Sequence, residues 1–381
     1  MTPTLTATAP SKPNVDIWLF GATLALVAIG LLMVCDASFP KSLDSVKLGN
    51  DPFYYGKQQA LGVGIGLAAL LAMMQIGYWR LRQFALPLML LGLALLAAVW
   101  IPHLGVRING AARWVHLGMT FQPSEFAKMA LILYLSARFS RPGCKIGHLV
   151  DGLSGPLCII GVYLLLIERE PDLGTACVLL LVAVTLLFLA GARKRHIALI
   201  CAGALLAVFL AGFVFKHRTD RLEVFLHPAE QKEGIGYQMY QSRLAVGSGR
   251  WFGVGWGQGR GKYYLPEANT DFIFATMSEE LGFVGVLPVI LLFGLIGWRG
   301  FVIARQTKDR FGQLLAGGIT ALISWQALIN VAVVTGSIPA TGVPLPFISL
   351  GSTSLIFLMI GVGLLLNIAQ NPMPPVETMA Q

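Results

Sequence analysis

The sequence predicts an all-α integral membrane protein with about ten transmembrane helices and a large extracytoplasmic loop between the seventh and the eighth. Of its 381 residues, 55% are hydrophobic and only 12% are charged. That charged fraction is about half of the fraction in a typical soluble domain. Apolar stretches of about 20 residues, the length that crosses the hydrocarbon core of a bilayer, recur along the whole chain. Basic residues cluster in alternate joins between these stretches, a pattern typical of multi-spanning proteins.

The first predicted span follows a polar segment, residues 1–16, that is rich in Pro and Thr. This segment lacks the basic start and the small-residue cleavage site of a signal peptide, so we predict a polar N-terminus that stays attached to the first span. Residues 17–369 are predicted to form one polytopic domain and residues 370–381 a C-terminal tail. The ten spans are predicted near residues 17–35, 59–77, 84–101, 123–139, 154–168, 173–191, 197–215, 272–298, 312–336 and 345–369.

The basic joins predict the orientation of the chain. Short loops rich in Lys and Arg are retained in the cytoplasm, which places both termini inside and the segment 216–270 outside. The net charge of +9 follows largely from this bias, so binding to nucleic acid is not expected. The basic residues of these joins are Arg80, Arg82, Arg138, Arg141, Lys145, Arg193, Lys194, Arg195, Arg299, Arg305, Lys308 and Arg310.

The predicted outer loop, residues 216–270, is too long to be a simple join and has content that argues against disorder. Aromatic rings at the headgroup level, beside cations that can hold phosphate, suit a lipid with an anionic head. We therefore take Arg243, Arg250 and Lys262 as candidate substrate-binding residues. The alternative is a loop that only rests on the bilayer. The aromatic residues of the loop are Tyr237, Tyr240, Trp251, Phe252, Trp256, Tyr263 and Tyr264.

Asp271 stands where the Gly- and Pro-rich loop turns into a long apolar run. If a helix starts near Thr270, its 3.6-residue period places Asp271 on one small, polar face with Ser278, and Glu279 at the flank of that face. Such a face could line a wet groove at the membrane boundary. The alternative is structural: an acid in the first helical turn is stabilised by the helix dipole, which would also keep the carboxylate ionised.

Glu125 and Lys128 form a second candidate constellation. Pro123 suits the first position of a helix, so the two charges fall three residues apart on one face of a predicted span. Charges inside a membrane are costly and should face protein or water and pair. A structural ion pair and a place in a substrate cavity are both open. Arg113, just before this helix, is either a substrate ligand or an interfacial residue that snorkels towards the headgroups.

A cluster of acids, Glu168, Glu170 and Asp172, occupies a predicted outer turn, where a functional role and a solvated acidic turn are both open. The five cysteines have no paired spacing and are interpreted as packing residues. The histidines show no metal-ligand spacing, so no metal is assigned. The cofactor is left unknown, with a divalent cation such as magnesium or manganese compatible with the chemistry. The histidines are His103, His116, His148, His196, His217 and His227.

Four segments carry a resemblance to a known family. The sequence is similar, in order from about residue 15 to 370, to the shape, elongation, division and sporulation family of bacterial membrane proteins, typified by FtsW and RodA. The segment around Asp271 is the most specific, and "DPFYYGKQQ", "NGAARW" and "LPEANTDFIF" resemble the division branch more than the elongation branch. The four segments are "NGAARWVHLGMTFQPSEFAK" (109–128), "EPDLGTA" (170–176), "GYQMYQSRLAVGSGRWFGVGWGQGRGKYYLPEANTDFIFATMSEELGFVG" (236–285) and "PATGVPLPFISLGSTSL" (339–355).

The resemblance implies a peptidoglycan glycosyltransferase that polymerises lipid II at the outer face of the bacterial cytoplasmic membrane during septal wall synthesis. This reaction needs a carboxylate to take a hydroxyl proton, cations to hold pyrophosphate, and a groove for two lipid tails. The family places its essential aspartate at Asp271. The implied partners are membrane lipid, a class B penicillin-binding transpeptidase, because the chain offers no soluble domain able to cross-link peptides, and other membrane proteins of the divisome.

Two other classes of function compete with the enzyme. A lipid II flippase would also need ten spans, intramembrane charges and a polar cavity. An ion-coupled transporter fits less well, because the acids cluster at the outer face rather than recurring at mid-membrane in two repeated halves. The same polymerase activity in cell elongation is a further alternative.

The first prediction concerns topology. A reporter fused after Arg195 is expected in the cytoplasm and one fused after Glu233 outside it, because the first follows a basic join and the second lies in the long outer loop. Paired alkaline phosphatase and fluorescent protein fusions measure both locations. The opposite pair of locations would contradict the predicted orientation.

Overall fold

The computed structural model describes residues 15–43, 46, 49–101, 104–108, 111–116, 120–214 and 234–372. Most of the predicted polar N-terminus, residues 216–233 of the predicted outer loop, His103, His217, His227 and the tail beyond residue 372 lie outside the described residues. The predictions made for those parts therefore stay predictions.

Ten long helices occupy the ten predicted spans in the described part of the chain, and two shorter helices lie in the outer loop. Eight of the ten are long and apolar enough to cross a membrane, so the protein is an all-α multi-pass membrane protein. The helices are α1 (Ile17–Leu43), α2 (Tyr54–Gln75), α3 (Leu81–Ala98), α4 (Pro123–Phe139), α5 (Ser154–Arg169), α6 (Leu173–Ala190), α7 (Lys194–Val214), α8 (Gly234–Gly249), α9 (Gly261–Tyr264), α10 (Ile273–Gln306), α11 (Arg310–Val334) and α12 (Ser352–Gln370).

The centre of the bundle is α11, which packs against α10, α6, α4 and α12. The last helix, α12, lies along α2, and small residues let the two backbones approach each other. A Cβ atom added to Gly363 would stand 2.6 Å from the carbonyl oxygen of Leu70. Close approach through small residues is how helices gain packing energy inside a membrane, where no hydrophobic effect drives them together.

A small antiparallel sheet, absent from the predicted all-helical pattern, joins α3 to α4. Its strands are β1 (Gly105–Ile108), β2 (Ala111–His116) and β3 (Thr120–Phe121), in the order β1-β2-β3. Trp114 pairs with Val106, and Val115 pairs with both Gly105 and Phe121. The strands are too short to show a clear alternation of apolar and polar residues, which is the signal that predicts a strand.

The α10 helix is broken at Gly282, whose φ of 66° is left-handed. The loop that precedes it replaces the lost helical hydrogen bonds. The amides of Val254 and Gly255 donate to the carbonyls of Glu279 and Glu280, both at 3.0 Å. In return, the amides of Phe283 and Val284 donate to the carbonyls of Arg250 (2.9 Å) and Trp251 (3.0 Å). The outer loop and α10 are thereby joined by a short backbone ladder.

The predicted tenth span begins too early. Residues 345–351 are not helical, and α12 starts only at Ser352. Pro344 and Pro346 explain the difference, because proline lacks an amide hydrogen and disfavours the helical conformation of the preceding residue. This non-helical segment is buried among the helices, with Leu345, Phe347 and Ile348 at most 2% exposed. Irregular backbone is tolerated at membrane depth only where protein or a cavity covers it.

Gly282→Ala is expected to destabilise the protein. Alanine would have to adopt a left-handed conformation there, and its Cβ would stand 2.2 Å from the backbone nitrogen of Gly253. The strained conformation alone costs on the order of 1–3 kcal/mol, so the melting temperature in detergent should fall. The matched control is Gly294→Ala in the same helix, where nothing lies within 4 Å of an added Cβ. Equal melting temperatures for the two variants would contradict the close backbone contact between Gly282 and the loop.

Candidate active site

A cavity of about 710 Å³ opens on the side of the bundle where the acidic and uncharged joins meet. It lies between the ends of α1, α2, α4, α6 and α8, the segment 267–272 and the non-helical segment before α12. Most of its lining residues are polar or charged, so the cavity can accommodate a polar group. The charged residues that line it are Lys41, Arg113, Glu125, Asp172, Glu267 and Asp271.

Asp271 lies at this cavity but not within a helix. The prediction of a helix start near Thr270 is wrong by three residues, because α10 begins at Ile273 and has no acid in its first turn. Asp271 instead sits on a tight turn closed by the carbonyl of Glu267, which accepts from the amides of Thr270 (3.1 Å) and Phe272 (3.2 Å). Glu267 has a left-handed φ of 58°. Such backbone strain in a non-glycine residue occurs preferentially at functional sites.

Three contacts from distant parts of the chain hold this turn. The side-chain amide of Asn330 in α11 donates to the carbonyls of Asp271 and Val343, both at 2.8 Å. The hydroxyl of Ser349 donates to the carbonyl of Thr270 at 2.7 Å. The amide of Leu350 donates to the carbonyl of Asn269 at 2.9 Å. The backbone of Asp271 is therefore fixed by groups outside its own segment, and the motif "PATGVPLPFISL" acts as its support.

The electrostatic environment keeps the Asp271 carboxyl a usable base. Burial, as the largest effect, raises the pKa of Asp271 to about 7. The carboxylates of Glu267 and Asp172 add to the rise, and Arg113 opposes it. The expected stabilisation of the ionised form by a helix dipole is thus overturned, because the residue lies before the first turn and desolvation dominates. A pKa near the working pH is what a general base requires.

The polar face predicted for α10 is not a groove. Ser278 is buried and its hydroxyl donates to the carbonyl of Phe274 in its own helix at 2.7 Å. The Glu279 carboxylate accepts from the amides of Arg260 (3.0 Å) and Gly261 (2.9 Å) in the outer loop. Glu279 is not among the described residues that line the cavity. Its contacts are those of a tie between the loop and α10.

The predicted pairing of Glu125 with Lys128 is present. Lys128 Nζ lies 2.9 Å from Glu125 Oε1, and the two side chains are only 1% and 3% exposed. Glu125 also lines the cavity, whereas Lys128 lies behind it. Removing one member of a buried pair leaves an uncompensated charge, which is far more destabilising than losing both. The pair therefore neutralises the inner wall of the cavity.

Arg113 extends from β2 into the cavity wall. Its Nε donates to the carbonyl of Glu170 at 3.0 Å, and its Nη2 donates to the carbonyl of Pro171. The guanidinium therefore binds protein carbonyls on the turn between α5 and α6 instead of snorkelling towards headgroups. In this position it brings a positive charge beside Asp271 and Asp172.

The turn at residues 168–172 is not a solvated acidic turn. Glu170 is 0% exposed and Asp172 is 2% exposed. Asp172 caps α6, because its carboxylate accepts from the amide and the hydroxyl of Thr175 at 3.1 and 2.9 Å. Neither carboxyl oxygen of Glu170 has a hydrogen-bond partner among the described residues. Burial, reinforced by Asp172, raises the pKa of Glu170 to about 8.

The cations predicted to hold pyrophosphate do not gather at the cavity. Lys262 is buried and bonded to Asp36 and Glu280 at 2.7 and 3.0 Å. Arg243 donates to the carbonyl of Gly336 at 3.1 Å, and Arg250 is exposed at the end of α8. None of these three side chains is among the described residues that line the cavity. Their contacts organise the loop around the site.

Several residues of the cavity were missed by the sequence analysis. Lys41 Nζ lies 3.9 Å from Glu267 Oε1 and 6.0 Å from the centre of the Tyr55 ring. Gln58 and Gln122 also line the space. The sequence did offer one signal for Lys41 and Tyr55. Both lie in the join between the first two predicted spans, where a polar side chain can reach a site at that end of the bundle. In the part of the chain that the structure describes, no three His, Cys, Asp or Glu side chains form a metal site.

A bundle of membrane-length helices with a charged cavity between the helix ends defines a multi-pass membrane protein. The chain belongs to the FtsW/RodA/SpoVE family, described as "Cell cycle protein", whose profile matches residues 17–373. The resemblance inferred from the four sequence segments is therefore confirmed.

Relatives and solved structures extend over nearly the whole chain. Stage V sporulation protein E of Bacillus subtilis is 40% identical over 366 residues, which cover 94% of this chain and 98% of that protein. A probable peptidoglycan glycosyltransferase FtsW of Trichlorobacter lovleyi is 39% identical and covers 93% of each chain. A structure described as "Structural coordination of polymerization and crosslinking by a peptidoglycan synthase complex" matches at a TM-score of 0.78 and 28% identity, covering 94% of this chain and 98% of that one. Thermus thermophilus RodA matches at 0.69 and 27%, covering 98% and 100%.

Glu170→Gln is expected to stabilise the protein more at high pH than at low pH. The folded state raises the pKa of Glu170 from 4.5 to about 8, so it holds a proton that the unfolded state releases. Stability is therefore lost as the pH rises through this window, and glutamine removes the loss. Melting temperatures in detergent at pH 5 and pH 9 measure the effect. Asp151→Asn, an exposed acid, is the control, and an equal gain at both pH values would contradict a protonated Glu170.

Proposed function

We propose that this protein is a peptidoglycan glycosyltransferase that polymerises lipid II into glycan strands, with Asp271 as the catalytic base. The observation that carries this proposal is a carboxyl held on a hydrogen-bonded turn at the wall of a polar cavity, where desolvation raises its pKa to about 7. Relatives of 37–40% identity are named probable peptidoglycan glycosyltransferase FtsW. Those names, with the division-like segments of the sequence, favour septal synthesis over elongation.

The reaction assigns a clear task to Asp271. The acceptor 4-hydroxyl oxygen bonds to the anomeric carbon of the donor sugar while the bond from that carbon to the pyrophosphate oxygen breaks. The hydroxyl proton passes to the Asp271 carboxylate, and undecaprenyl pyrophosphate leaves. The turn that carries Asp271 is held by hydrogen bonds from other segments, which supports this role. Proton transfer accelerates the reaction only when the carboxylate stays within hydrogen-bonding distance of the hydroxyl.

The leaving group needs positive charge, and the cavity supplies little of it. Lys41 and Arg113 are the cations among the described lining residues, and both already contact protein oxygens. Glu267 offers carboxylate oxygens of the kind that bind Mg²⁺, an ion held in many enzymes by one or two carboxylates and substrate phosphates. A divalent cation held by Glu267 and the substrate phosphates would supply the missing counter-charge and leave Asp271 to act as the base. Lys41 and Arg113 would then orient the pyrophosphate.

The setting of the reaction forms part of the proposal. The protein would lie in the bacterial cytoplasmic membrane with both termini in the cytoplasm and the cavity facing out. The solved neighbour belongs to a peptidoglycan synthase complex whose description couples polymerisation to crosslinking. This supports a class B penicillin-binding transpeptidase as partner, with other divisome membrane proteins and membrane lipid around it.

Asp271→Asn is expected to fold normally and to lower polymerisation by about 100-fold or more, since a positioned base contributes about 10² to 10⁴. Asp271→Glu should recover little activity, because one added methylene displaces the carboxylate. In the wild type, the rate should rise with pH up to about 7 and then level off, since the base must be ionised and its pKa is about 7. The amount of glycan chain made from purified lipid II in detergent, at matched amounts of folded protein, measures the activity of both variants and the pH profile of the wild type.

The exposed acid Asp151 supplies the control, and Asp151→Asn should polymerise like the wild type. Near wild-type polymerisation by Asp271→Asn would contradict the assignment of the base. Movement of lipid II across vesicle membranes without any polymer, by the wild type, would instead favour a flippase.

A further inference from the structure

A second recess lies on the same side of the bundle and shares no lining residue with the candidate active site. Its volume is about 390 Å³, and it lies between α1, the start of α2 and the outer loop. We call it the α1 recess; its lining residues are Leu32, Cys35, Asp36, Phe39, Phe53, Trp256, Gly257, Lys262 and Tyr263. No step of the glycosyltransfer reaction uses them.

The floor of the α1 recess is a triad of charges. Lys262 uses its three ammonium hydrogens on Asp36 Oδ1 (2.7 Å), Glu280 Oε1 (3.0 Å) and the carbonyl of Gly257 (3.1 Å). Glu280 also accepts from the amides of Gly257 (2.9 Å) and Gly259 (3.1 Å). Lysine and Glu280 are therefore satisfied. Asp36 Oδ2 is buried and has no hydrogen-bond partner among the described residues.

The triad is also unbalanced in charge. Two carboxylates share one ammonium, and the side chains of Asp36, Lys262 and Glu280 are only 12%, 3% and 0% exposed. A buried acceptor without a donor is unfavourable, and so is a buried cluster in which one carboxylate is in excess. One ligand that carries a positive charge and an N–H group would remove both deficits at Asp36.

Aromatic rings form the wall above Asp36. Phe39, Phe53, Trp256 and Tyr263 line the recess and are 39%, 55%, 48% and 61% exposed. Aromatic faces attract cations, and cages of such rings recognise ammonium groups. The rings therefore favour the same kind of ligand as the charge of the triad does.

The depth of the recess indicates where the ligand comes from. Asp36 follows Ile17, the first residue of α1, by 19 residues, which at 1.5 Å per residue is about 29 Å. That distance is close to the thickness of the hydrocarbon core, about 30 Å. The recess therefore lies at the headgroup layer opposite to the one where α1 begins. Trp256 and Tyr263 are residue types that prefer a headgroup layer.

We propose that the α1 recess binds the primary ammonium group of a phospholipid headgroup, as in phosphatidylethanolamine. The ammonium would donate to Asp36 Oδ2 and lie against the aromatic rings. A choline headgroup has the charge but no N–H to donate, and a glycerol headgroup has no positive charge. Because the loop residues of the recess lead into the turn that carries Asp271, the bound lipid would also tie this loop to α1.

The test uses the purified full-length protein in nanodiscs of phosphatidylcholine doped with either phosphatidylethanolamine or phosphatidylglycerol. Native mass spectrometry should show one phosphatidylethanolamine retained, and the melting temperature should rise with this lipid alone. Free ethanolamine, added without the lipid, should give neither effect at the same concentration. Equal retention of the three lipids would overturn the proposal, and a response to free ethanolamine would assign the site to a soluble amine instead.

Variants locate the site. Asp36→Asn should retain the lipid about tenfold more weakly, as for the loss of a hydrogen bond to a charged group. Tyr263→Leu should weaken retention without touching the triad, so it keeps the test valid if Asp36→Asn folds poorly. Tyr264→Leu is the matched control, since Tyr264 is equally exposed, at 64%, but does not line the recess. Equal retention by Tyr263→Leu and Tyr264→Leu would contradict the aromatic wall.

Discussion

The need to satisfy backbone hydrogen bonds at membrane depth shapes the part of this protein that forms the cavity. At two places where the described chain leaves the helical conformation, another segment supplies the missing partners. The loop at residues 250–255 does this for the break at Gly282, and Asn330 does it for the turn at Asp271 and for Val343. The site exists where these irregular segments meet, because only non-helical backbone can present a carboxyl at the helix ends without burying it in the bundle.

The burial of charged side chains is constrained in the same way as the burial of backbone groups, because both lose water. Among the described residues, buried charges are paired, as in Glu125 with Lys128 and Asp16 with Arg299, bonded to backbone amides, as in Glu279, or shifted towards the neutral form, as in Glu170. Desolvation drives these outcomes. Whether a carboxyl is paired determines what it can do. A paired carboxylate stabilises the fold, whereas a carboxyl without an ion-pair partner and with a raised pKa can exchange a proton at neutral pH.

The sequence predicted most of the fold and part of the site, and the physical reason differs from element to element. Hydrophobic runs of membrane length predicted the ten long helices, eight of which are long and apolar enough to cross a membrane, and Pro123 predicted the start of α4. The sheet was missed because its strands are short, and the pairing of Lys262 with Asp36 was missed because the two residues lie 226 positions apart. The sequence motif identified Asp271 as a candidate, but the sequence could not predict the rise of its pKa. That rise depends on desolvation, which only the folded surroundings determine.

The outer loop shows that residue types alone do not tell where their side chains lie in the fold. Its cations and aromatic rings were correctly identified as unusual, and binding of an anionic head was the natural interpretation. In the structure, Lys262 is bound by Asp36 of α1 and Glu280 of α10, so this loop cation does not offer positive charge to the site. Under the proposed function, the charge of the pyrophosphate would then have to be balanced within the cavity itself. With Glu267, Asp172 and Asp271 on its wall, binding of this anion would be coupled to the uptake of either protons or a cation, because the carboxylates would otherwise repel it.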